Sequence, residues 1–417
     1  MATPTEARPD LCVIGTDPAG IEIALAAAAL GVPTALVTDE VADGTPLPLT
    51  LQRLRAIGVR VIEAQGTFKD KDRLTAGDGI IRARRYVIAV KSTPRRPSIA
   101  GIELPPLWDG KAGVPHLLVL GGGGEGVARA QAARRAGGRV TLIAEGALLA
   151  DVDAEIAAIL RVHFERQGIA LREHVPLTSG TIAPDERDGF TLTFDNGPGP
   201  LAFTHLALAS GEMPVLDHLG LAKAGIALQG GRPVVGANLR TTNRRVHAVG
   251  TACGIEAHHM RAQVGAVLSG VLFRKAVKLD AALLPRLALT RPGIAEIGLR
   301  ERDIPRERLA RYRFYRASLA ETGKSIANGE PSGQIKVIAT PDGRVQGASI
   351  LAEDAAELIV PIALAMTEGV PLTRLASLPI AAPSHAETLG ALARQAVGER
   401  LRTPGSRRLM RFLRLFG

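Results

Sequence analysis

The sequence predicts an α/β fold in which two β-α-β units precede a separate α+β domain. Two stretches carry this prediction, because each gives an apolar strand, a glycine turn, a helix of small residues and a second apolar strand. They are residues 10–40 and 116–146. From about residue 285 the pattern changes to alternating strands followed by helices, which is typical of an α+β domain.

The first stretch contains the turn V-I-G-T-D-P-A-G at residues 13–20. A strand, a G-x-G-x-x-G turn and a helix form the Rossmann-type unit, in which the helix N-terminus faces the pyrophosphate of a dinucleotide. Gly15 and Gly20 hold the outer glycine positions, whereas Asp17 stands at the middle position. Because the backbone approaches the pyrophosphate at the middle position, Asp17 places a negative charge next to the expected ligand.

Asp17 has two interpretations. Aspartate is a preferred helix N-cap and Pro18 suits the first helical position, so the carboxylate would accept a hydrogen bond from Ala19 or Gly20. Such a cap stabilises a helix by roughly 1 kcal/mol. A phosphate charge about 4 Å away would meet a repulsion on the order of 4 kcal/mol at an effective dielectric constant of 20. Salt and side-chain rotation reduce that repulsion, so nucleotide binding and a closed turn stay equal alternatives.

The second stretch keeps all three glycines of the turn, Gly121, Gly123 and Gly126. Nothing charged stands at these positions, which favours anion binding over a role in packing alone. The acid that binds the ribose is expected after the second strand, where Ala144 is followed by Glu145. An acid at this point favours NAD over NADP, because it would repel a 2′-phosphate.

Further segments complete the fold prediction. Residues 189–210 alternate as strands around D-N-G-P-G-P, and residues 245–273 give a strand, a glycine turn and a helix. Residues 334–351 predict a hairpin, because T-P-D-G supplies the turn between two apolar runs. Helices are expected over residues 353–370 and 386–399.

The composition limits the functions of the chain. Its 417 residues are 46% hydrophobic, enough for two or three ordered domains. The net charge of +10 comes largely from dispersed arginines without interleaved aromatic residues, so no nucleic-acid partner is expected. Two cysteines, Cys12 and Cys253, exclude a disulfide scaffold. The sequence shows no signal-peptide pattern and no membrane-spanning run, so we expect a cytoplasmic protein.

Five motifs follow one another along the chain: V-I-G-T-D-P-A-G, V-I-A-V-K-S-T-P-R-R-P-S-I-A-G, V-L-G-G-G-G-E-G, V-H-A-V-G-T-A-C-G and L-P-I-A-A-P-S-H-A-E-T-L-G-A-L. In this order they resemble the motifs of the FAD-dependent pyridine nucleotide-disulfide oxidoreductases, the family of dihydrolipoamide dehydrogenase and mercuric reductase. The resemblance implies an α/β fold of two Rossmann-type nucleotide-binding domains plus a C-terminal α+β dimerisation domain, assembled as a homodimer. The implied segments are an FAD-type domain (1–114), an NAD(P)-type domain (115–230), the return segment of the FAD-type domain (231–284), the dimerisation domain (285–400) and a basic amphipathic tail (401–417).

By this resemblance the motifs imply two cofactor sites. The residues expected at an FAD site are Gly15, Asp17, Gly20, Thr38, Asp39, Gly250 and Thr251. The residues expected at a site for NAD(H) or NADP(H) are Gly121, Gly123, Gly126 and Glu145.

Several family anchors differ in this chain. The ribose-binding acid of the FAD site is replaced by Thr38, beside Asp39, and the aspartate of the second FAD motif is replaced by Thr251. The family often has a glutamate two residues after the third glycine of the NAD(P) turn, where this chain has Ala128. FAD binding is therefore an open alternative, as is binding of a nicotinamide dinucleotide.

The residues of disulfide chemistry also differ. The family's reductases carry two cysteines soon after the first β-α-β unit, whereas residues 37–59 contain none. The family's H-P-T-x-x-E segment has Ala382 in place of the base histidine. Glu387 is kept and His385 lies three positions away, so these two residues are the catalytic candidates. S-x-x-E at residues 384–387 also fits a capping box, in which Glu387 only caps a helix.

Cys253, His258 and His259 lie close together in the sequence. Adjacent histidines on a helix diverge by about 100 degrees and no fourth ligand is evident, so no metal site is predicted.

The tail has arginines on one helical face and Leu and Phe on the other, with Ser406 as the expected cap. A basic amphipathic helix is typical of binding to a membrane surface or to an unknown protein partner, and docking on the protein's own dimer is the alternative.

Two functions follow from the sequence. One is a divergent flavoprotein-type oxidoreductase that transfers hydride from NAD(P)H through flavin to an unknown acceptor, without disulfide reductase chemistry. The other is a catalytically inactive pseudoenzyme that acts as a dimeric scaffold, sensor or partner-binding protein. The simultaneous replacement of the cysteine pair, the base histidine and the FAD anchors argues against the first function, so the two stay nearly equal alternatives.

Overall fold

The computed structural model describes residues 6–38, 47–110, 113–185, 189–195, 199–255, 257–329, 333–402 and 404–415. Asp39, an expected FAD-site residue, lies outside them. The chain forms two compact units, Met1–Arg95 with Gly211–Ala281, and Arg96–Ser210 with Ala282–Gly417.

The first unit begins with alternating strands and helices, as the apolar runs predict. Its elements before residue 96 are β1 (Glu6–Ala7), β2 (Leu11–Ile14), α1 (Pro18–Ala29), β3 (Thr34–Thr38), α2 (Leu47–Ala56), β4 (Arg60–Glu63), β5 (Gly66–Phe68), β6 (Leu74–Ala76), β7 (Gly79–Ile81), β8 (Arg85–Ile88) and β9 (Ser92–Pro94). Every residue of β2 and β3 is buried, because helices or loops cover both faces of a parallel sheet.

The second unit repeats this order. Its elements before residue 211 are β10 (His116–Leu120), α3 (Gly124–Arg135), β11 (Arg139–Ile143), α4 (Ala154–Arg166), β12 (Ala170–Arg172), β13 (Thr181–Asp185), β14 (Gly189–Thr193), β15 (Leu201–Phe203) and β16 (His205–Leu208). The chain then returns to the first unit through β17 (Glu212–Pro214), β18 (Leu228–Gln229), β19 (Arg232–Pro233), β20 (Val246–Ala248) and α5 (Met260–Leu272).

The α+β part of the second unit follows residue 282. Its elements are β21 (Arg286–Ala288), β22 (Gly293–Gly298), β23 (Arg313–Ser318), α6 (Gly323–Asn328), β24 (Gln334–Ala339), β25 (Val345–Ala352), α7 (Ala355–Thr367), α8 (Glu387–Leu401) and α9 (Pro404–Leu413). The predicted hairpin is confirmed, because β24 and β25 pair antiparallel and Gly343 donates to the Thr340 carbonyl at 2.8 Å in the turn. The two predicted helices are confirmed as α7 and α8.

The sheets confirm the two Rossmann-type units. In the first unit the parallel order is β20-β8-β2-β3-β4, so the glycine turn after β2 lies at the carboxyl edge in the middle of the sheet. In the second unit the parallel order is β12-β11-β10-β16, and β10 again precedes a glycine turn. The α+β sheet is antiparallel, in the order β21-β22-β25-β24-β23.

The predicted cap of the last described helix was wrong. Helix α9 begins at Pro404, two residues before Ser406, and the Ser406 hydroxyl donates to the Arg400 carbonyl at 2.8 Å. Proline at the first turn starts the helix earlier because its missing N–H needs no partner there.

Candidate functional site

Asp17 caps helix α1, as the sequence predicted. Its Oδ1 accepts from the Ala19 amide at 2.9 Å, and its backbone carbonyl accepts from the Gly20 amide at 2.9 Å. The side chain is 5% exposed. The first amides of α1, which would face a pyrophosphate, therefore already have an acceptor within the chain.

The second Asp17 oxygen reaches the segment after β20. Oδ2 accepts from both the backbone N–H and the hydroxyl of Thr251, each at 3.3 Å. The Thr251 hydroxyl also lies 3.2 Å from the Val90 carbonyl. Thr251 thus binds the Asp17 carboxylate, where the family's aspartate would have repelled it.

Gly250 provides the space that the Asp17 carboxylate fills. A Cβ at Gly250 would lie 2.3–2.4 Å from the three atoms of that carboxylate, and φ of Gly250 is +61°. No side chain fits between the two residues. The Gly250 amide donates to Oε1 of the buried Gln263 at 2.6 Å, which holds this loop against α5.

The other two glycines of this turn allow close packing against the end of β8. A Cβ at Gly15 would lie 2.4 Å from the Ala89 carbonyl oxygen, and a Cβ at Gly20 would lie 2.2 Å from the Ala89 Cβ. Packing alone therefore accounts for both glycines, whether or not a nucleotide binds.

A cavity of about 180 Å³ lies beside this turn. Gly15 and Thr38 line it at the carboxyl ends of β2 and β3, together with Lys91 and His218. Ligand pockets usually measure about 300–1,000 Å³, so this cavity is small for a dinucleotide. Thr38, the residue at the expected ribose position, is 3% exposed.

Both cysteines of the chain lie in the first unit as free thiols. Burial raises the pKa of Cys12, whose side chain is fully buried, and raises the pKa of Cys253 to about 11. The Cys253 thiol donates to the Gly250 carbonyl at 3.4 Å. Because the thiolate is the form that attacks a disulfide, these environments disfavour thiol exchange at neutral pH.

The second glycine turn differs from the first at its middle position. Gly123 caps α3, and no described side chain accepts a hydrogen bond from the first turn of this helix. A Cβ at Gly123 would meet no atom within 4 Å, so the space in front of the helix is open. The outer glycines pack tightly, because a Cβ at Gly126 would lie 1.9 Å from the Gly121 carbonyl oxygen.

Two acidic residues near this turn, Glu125 and Glu145, accept hydrogen bonds from other groups of the chain. Glu125, in the first turn of α3, accepts from Arg129 Nε at 3.0 Å and from Arg129 Nη2 at 2.7 Å. Glu145, the expected ribose-binding acid, follows β11 by two positions, and its Oε1 accepts from the Leu177 amide at 3.2 Å. Its side chain is exposed, so the carboxylate borders solvent at the carboxyl edge of the sheet.

Comparison with known proteins places the chain in a family. The pyridine nucleotide-disulphide oxidoreductase profile matches residues 9–266, and the dimerisation domain of the same family matches residues 284–393. This chain belongs to the pyridine nucleotide-disulphide oxidoreductase family. Members of the family depend on FAD and NAD(P)H, and the matched dimerisation domain indicates that they form homodimers.

Curated relatives agree with the family. A mercuric reductase from Streptomyces lividans is 30% identical over 338 residues, which is 76% of this chain and 70% of that protein. A dihydrolipoyl dehydrogenase from Chlorobaculum tepidum is 27% identical over 80% of this chain and 72% of its own length. The match to a mercuric reductase from Shewanella putrefaciens covers only 54% of that protein, at 28% identity.

Solved structures confirm the fold. The HOCl-induced flavoprotein disulfide reductase RclA from Escherichia coli aligns with a TM-score of 0.80 over 92% of this chain and 99% of its own, at 22% identity. LpdA from Mycobacterium tuberculosis aligns with a TM-score of 0.78 over 94% of this chain and 99% of its own, also at 22% identity.

The residues at the first turn do not fit the FAD of this family. The Asp17 carboxylate accepts the amide hydrogen bond that a pyrophosphate needs, and it fills the space beside Gly250. A pyrophosphate would also bring a second negative charge next to a buried one. The second turn does fit a nicotinamide dinucleotide, because its helix N-terminus carries no side-chain cap and faces open space.

The family's C-terminal segment is rearranged around Glu387. Its Oε1 accepts from the Ser384 amide at 2.8 Å, which is half of the predicted capping box. The other half is missing, because the Ser384 hydroxyl donates to the Ala381 carbonyl at 2.6 Å. Ala382 is exposed and offers no base at the family's histidine position. Glu387 thus holds the turn before α8, and Ser384 is not the helix cap, because the N-cap of α8 is Ala386, which makes no side-chain hydrogen bond.

His385 lies in a hydrogen-bond chain that the sequence did not reveal. Its Nδ1 is 3.2 Å from Oδ2 of Asp354, and its Nε2 is 3.2 Å from the Ser325 hydroxyl. Asp354 also pairs with Lys324, and the hydrogen bond from Lys324 lowers the pKa of Asp354. The order Asp-His-Ser is that of a hydrolytic triad, but Ser325 is 1% exposed and cannot meet a substrate. These hydrogen bonds through His385 therefore hold α6 against the segment before α8.

A second buried cluster joins the N-terminus of α4 to the antiparallel sheet. Lys336, 2% exposed, lies 2.9 Å from Asp153, 2.7 Å from Glu155 and 2.6 Å from Glu301. Burial alone would lower the pKa of Lys336, but hydrogen bonds to the three carboxylates outweigh it and raise that pKa. Hydrogen bonding from Arg316 lowers the pKa of Glu155 to about 2. Lys336 and Glu155 therefore stay charged at neutral pH.

No group of three or more His, Cys, Asp or Glu residues is arranged to hold a metal ion within the part of the chain that the structure describes. His258 and His259 contact each other edge to face, with ring centroids 4.1 Å apart.

Proposed function

We propose that this chain is a catalytically inactive member of its family, a dimeric partner-binding sensor that takes up NAD(H) and runs no flavin redox cycle. The observation that carries the proposal is the Asp17 carboxylate, which caps α1 and contacts Gly250 where the family binds a pyrophosphate. Catalysis in the family depends on FAD, so a closed FAD turn removes the redox centre.

The two thiols support the same conclusion. Cys12 and Cys253 are more than 200 positions apart in the sequence, and burial raises the pKa of each. Neither residue stands in the segment between the first β-α-β unit and β4, where the family's reductases carry their cysteine pair. A protonated, buried thiol does not attack a disulfide.

NAD(H) is the proposed ligand because only the second turn leaves its helix N-terminus open to an anion. The backbone amides from Gly124 to Gly126 would bind the pyrophosphate, and Glu145 would bind the ribose hydroxyls. A carboxylate at the ribose disfavours the 2′-phosphate of NADP(H). Bound NADH carries a hydride, but with the first turn closed to flavin the chain supplies no acceptor for it.

The proposal predicts that NADH binds and is not consumed. Titration of the full chain with NADH, followed by nucleotide fluorescence, measures binding, and the absorbance of NADH over time measures turnover. Gly123→Ala should weaken NADH binding by roughly 5- to 150-fold, because a methyl group added to an occupied space costs about 1–3 kcal/mol. It should leave the fold intact, since a Cβ there meets no protein atom within 4 Å.

The matched control is Gly398→Ala in α8, where a Cβ also meets no atom within 4 Å. This variant should bind NADH as the unchanged chain does. Equal loss of binding in both variants, or no loss in either, would show that the Gly121–Gly126 turn is not the nucleotide site.

The second candidate function is an NAD(P)H-dependent flavin oxidoreductase with an unknown acceptor. The cavity of about 180 Å³ beside Gly15 and Thr38 favours it, because some space remains next to the first turn. Consumption of NADH that depends on added FAD and on an electron acceptor would support this candidate and exclude the sensor.

A further inference from the structure

Helix α9 carries an apolar surface that the second unit does not bury. None of its residues from Pro404 to Leu413 is buried. Its large apolar side chains are between 40% and 57% exposed, and Leu415, just after the helix, is 79% exposed. An apolar face of this kind on a ten-residue helix needs a partner, because so short a helix is marginal by itself in water.

The charges of α9 lie opposite its apolar side chains. At 100 degrees per residue, the apolar residues Leu409, Met410, Phe412 and Leu413 share one side of the helix. The arginines share the other side, at positions 407, 408, 411 and 414. Residues 401–417 contain five arginines and no Asp or Glu, so the polar face has a single sign.

We propose that α9 binds the surface of an anionic lipid bilayer, lying in the headgroup plane with its leucines inserted. Charge complementarity selects this occupant, because a uniform row of arginines matches a plane of phosphates. A second copy of the chain, whose net charge is +10, would bring an excess of like charge to such a face. None of the described helices is long and apolar enough to cross a bilayer.

Two features of α9 make the binding reversible and sensitive to lipid charge. Each arginine near an anionic surface strengthens binding about fivefold, and salt weakens that contribution. The four large apolar side chains insert into the bilayer, and without anionic lipids this insertion alone gives only weak binding. The dimerisation domain of this family would place two α9 helices on one particle, which raises the avidity further. The proposal does not depend on which nucleotide the chain binds.

The test is sedimentation of the full chain with vesicles of phosphatidylglycerol mixed with phosphatidylcholine, and with vesicles of phosphatidylcholine alone. The chain should pellet with the anionic vesicles and stay in solution with the neutral ones. Arg407→Gln with Arg411→Gln should weaken binding on the order of 25-fold, from about fivefold per charge. Leu409→Asp with Leu413→Asp should abolish binding.

Matched controls are Arg166→Gln on α4 and Leu228→Asp on β18, two exposed positions in other elements, which should not change vesicle binding. Failure of the unchanged chain to pellet with anionic vesicles overturns the proposal, as does equal binding to neutral vesicles. A dimer that dissociates when Leu409 and Leu413 become Asp, measured by light scattering, would assign the face to a second copy and also overturn it.

Discussion

Replacing Asp17 tests whether this one carboxylate closes the FAD site. Asp17→Gly removes the charge, the side-chain cap and the atoms that fill the space beside Gly250. Loss of the side-chain cap should lower the free energy of unfolding of the chain without ligand by only a few tenths of a kcal/mol, because glycine is itself tolerated at the N-cap. A phosphate held about 4 Å from the former carboxylate would escape a repulsion on the order of 4 kcal/mol before screening, equivalent to as much as a thousandfold in affinity.

Asp17→Asn separates charge from volume, because the amide keeps the size of the carboxylate and loses its charge. Isothermal titration of each variant with FAD should show the tightest binding for Asp17→Gly, weaker binding for Asp17→Asn and the weakest binding for the unchanged chain. The variant Thr251→Val is a control, since it removes one donor to Asp17 and keeps the carboxylate in place. If neither Asp17 variant binds FAD more tightly than the unchanged chain, the reasoning about this residue is refuted.

Two further predictions concern buried charges. Burial lowers the pKa of His247 from 6.5 to about 4, so the unfolded chain binds its proton first and stability should fall as pH drops from about 6.5 to about 4. The loss of stability is on the order of 3 kcal/mol at 1.36 kcal/mol per pKa unit. Urea unfolding of His247→Leu should no longer show this loss. A variant with the same pH dependence of stability as the unchanged chain would contradict the assignment of the loss to His247. Lys336→Met should lower the free energy of unfolding by about 3–5 kcal/mol, because it leaves the buried Asp153 carboxylate without its counter-ion. The control Lys324→Met removes a half-exposed pair with Asp354 and should cost less than about 1 kcal/mol, so equal effects of the two changes would argue against the buried cluster.

Local patterns in the sequence were enough to predict the elements that position the sites. The apolar runs around residues 13 and 118 predicted parallel strands, and the Asp17-Pro18 pair predicted the N-cap of α1. These features depend on residues a few positions apart, where the spacing itself determines the geometry. The resemblance to the family supplied the order of the domains, which no local pattern contains.

Contacts between distant residues could not be predicted in the same way. The Thr251 hydroxyl reaches Asp17 across 234 positions, and His385 joins Ser325 across 60. No regular spacing in the sequence connects the residues of either pair. The sequence therefore showed that Thr251 replaces the family's aspartate, but it did not show that Thr251 binds the carboxylate of Asp17. The prediction of a cap at Ser406 was wrong although it used only neighbouring residues. It assigned the cap to the nearest serine, whereas the helix begins two residues earlier, at Pro404.

The most direct test of the closed first turn is the visible absorption of the unchanged protein. The full chain is incubated with excess FAD, passed through a desalting column and scanned before and after addition of NADH. A chain whose Asp17 carboxylate occupies the pyrophosphate position should emerge without a flavin band. A stoichiometric yellow protein that NADH bleaches would contradict the account and establish a working flavin site.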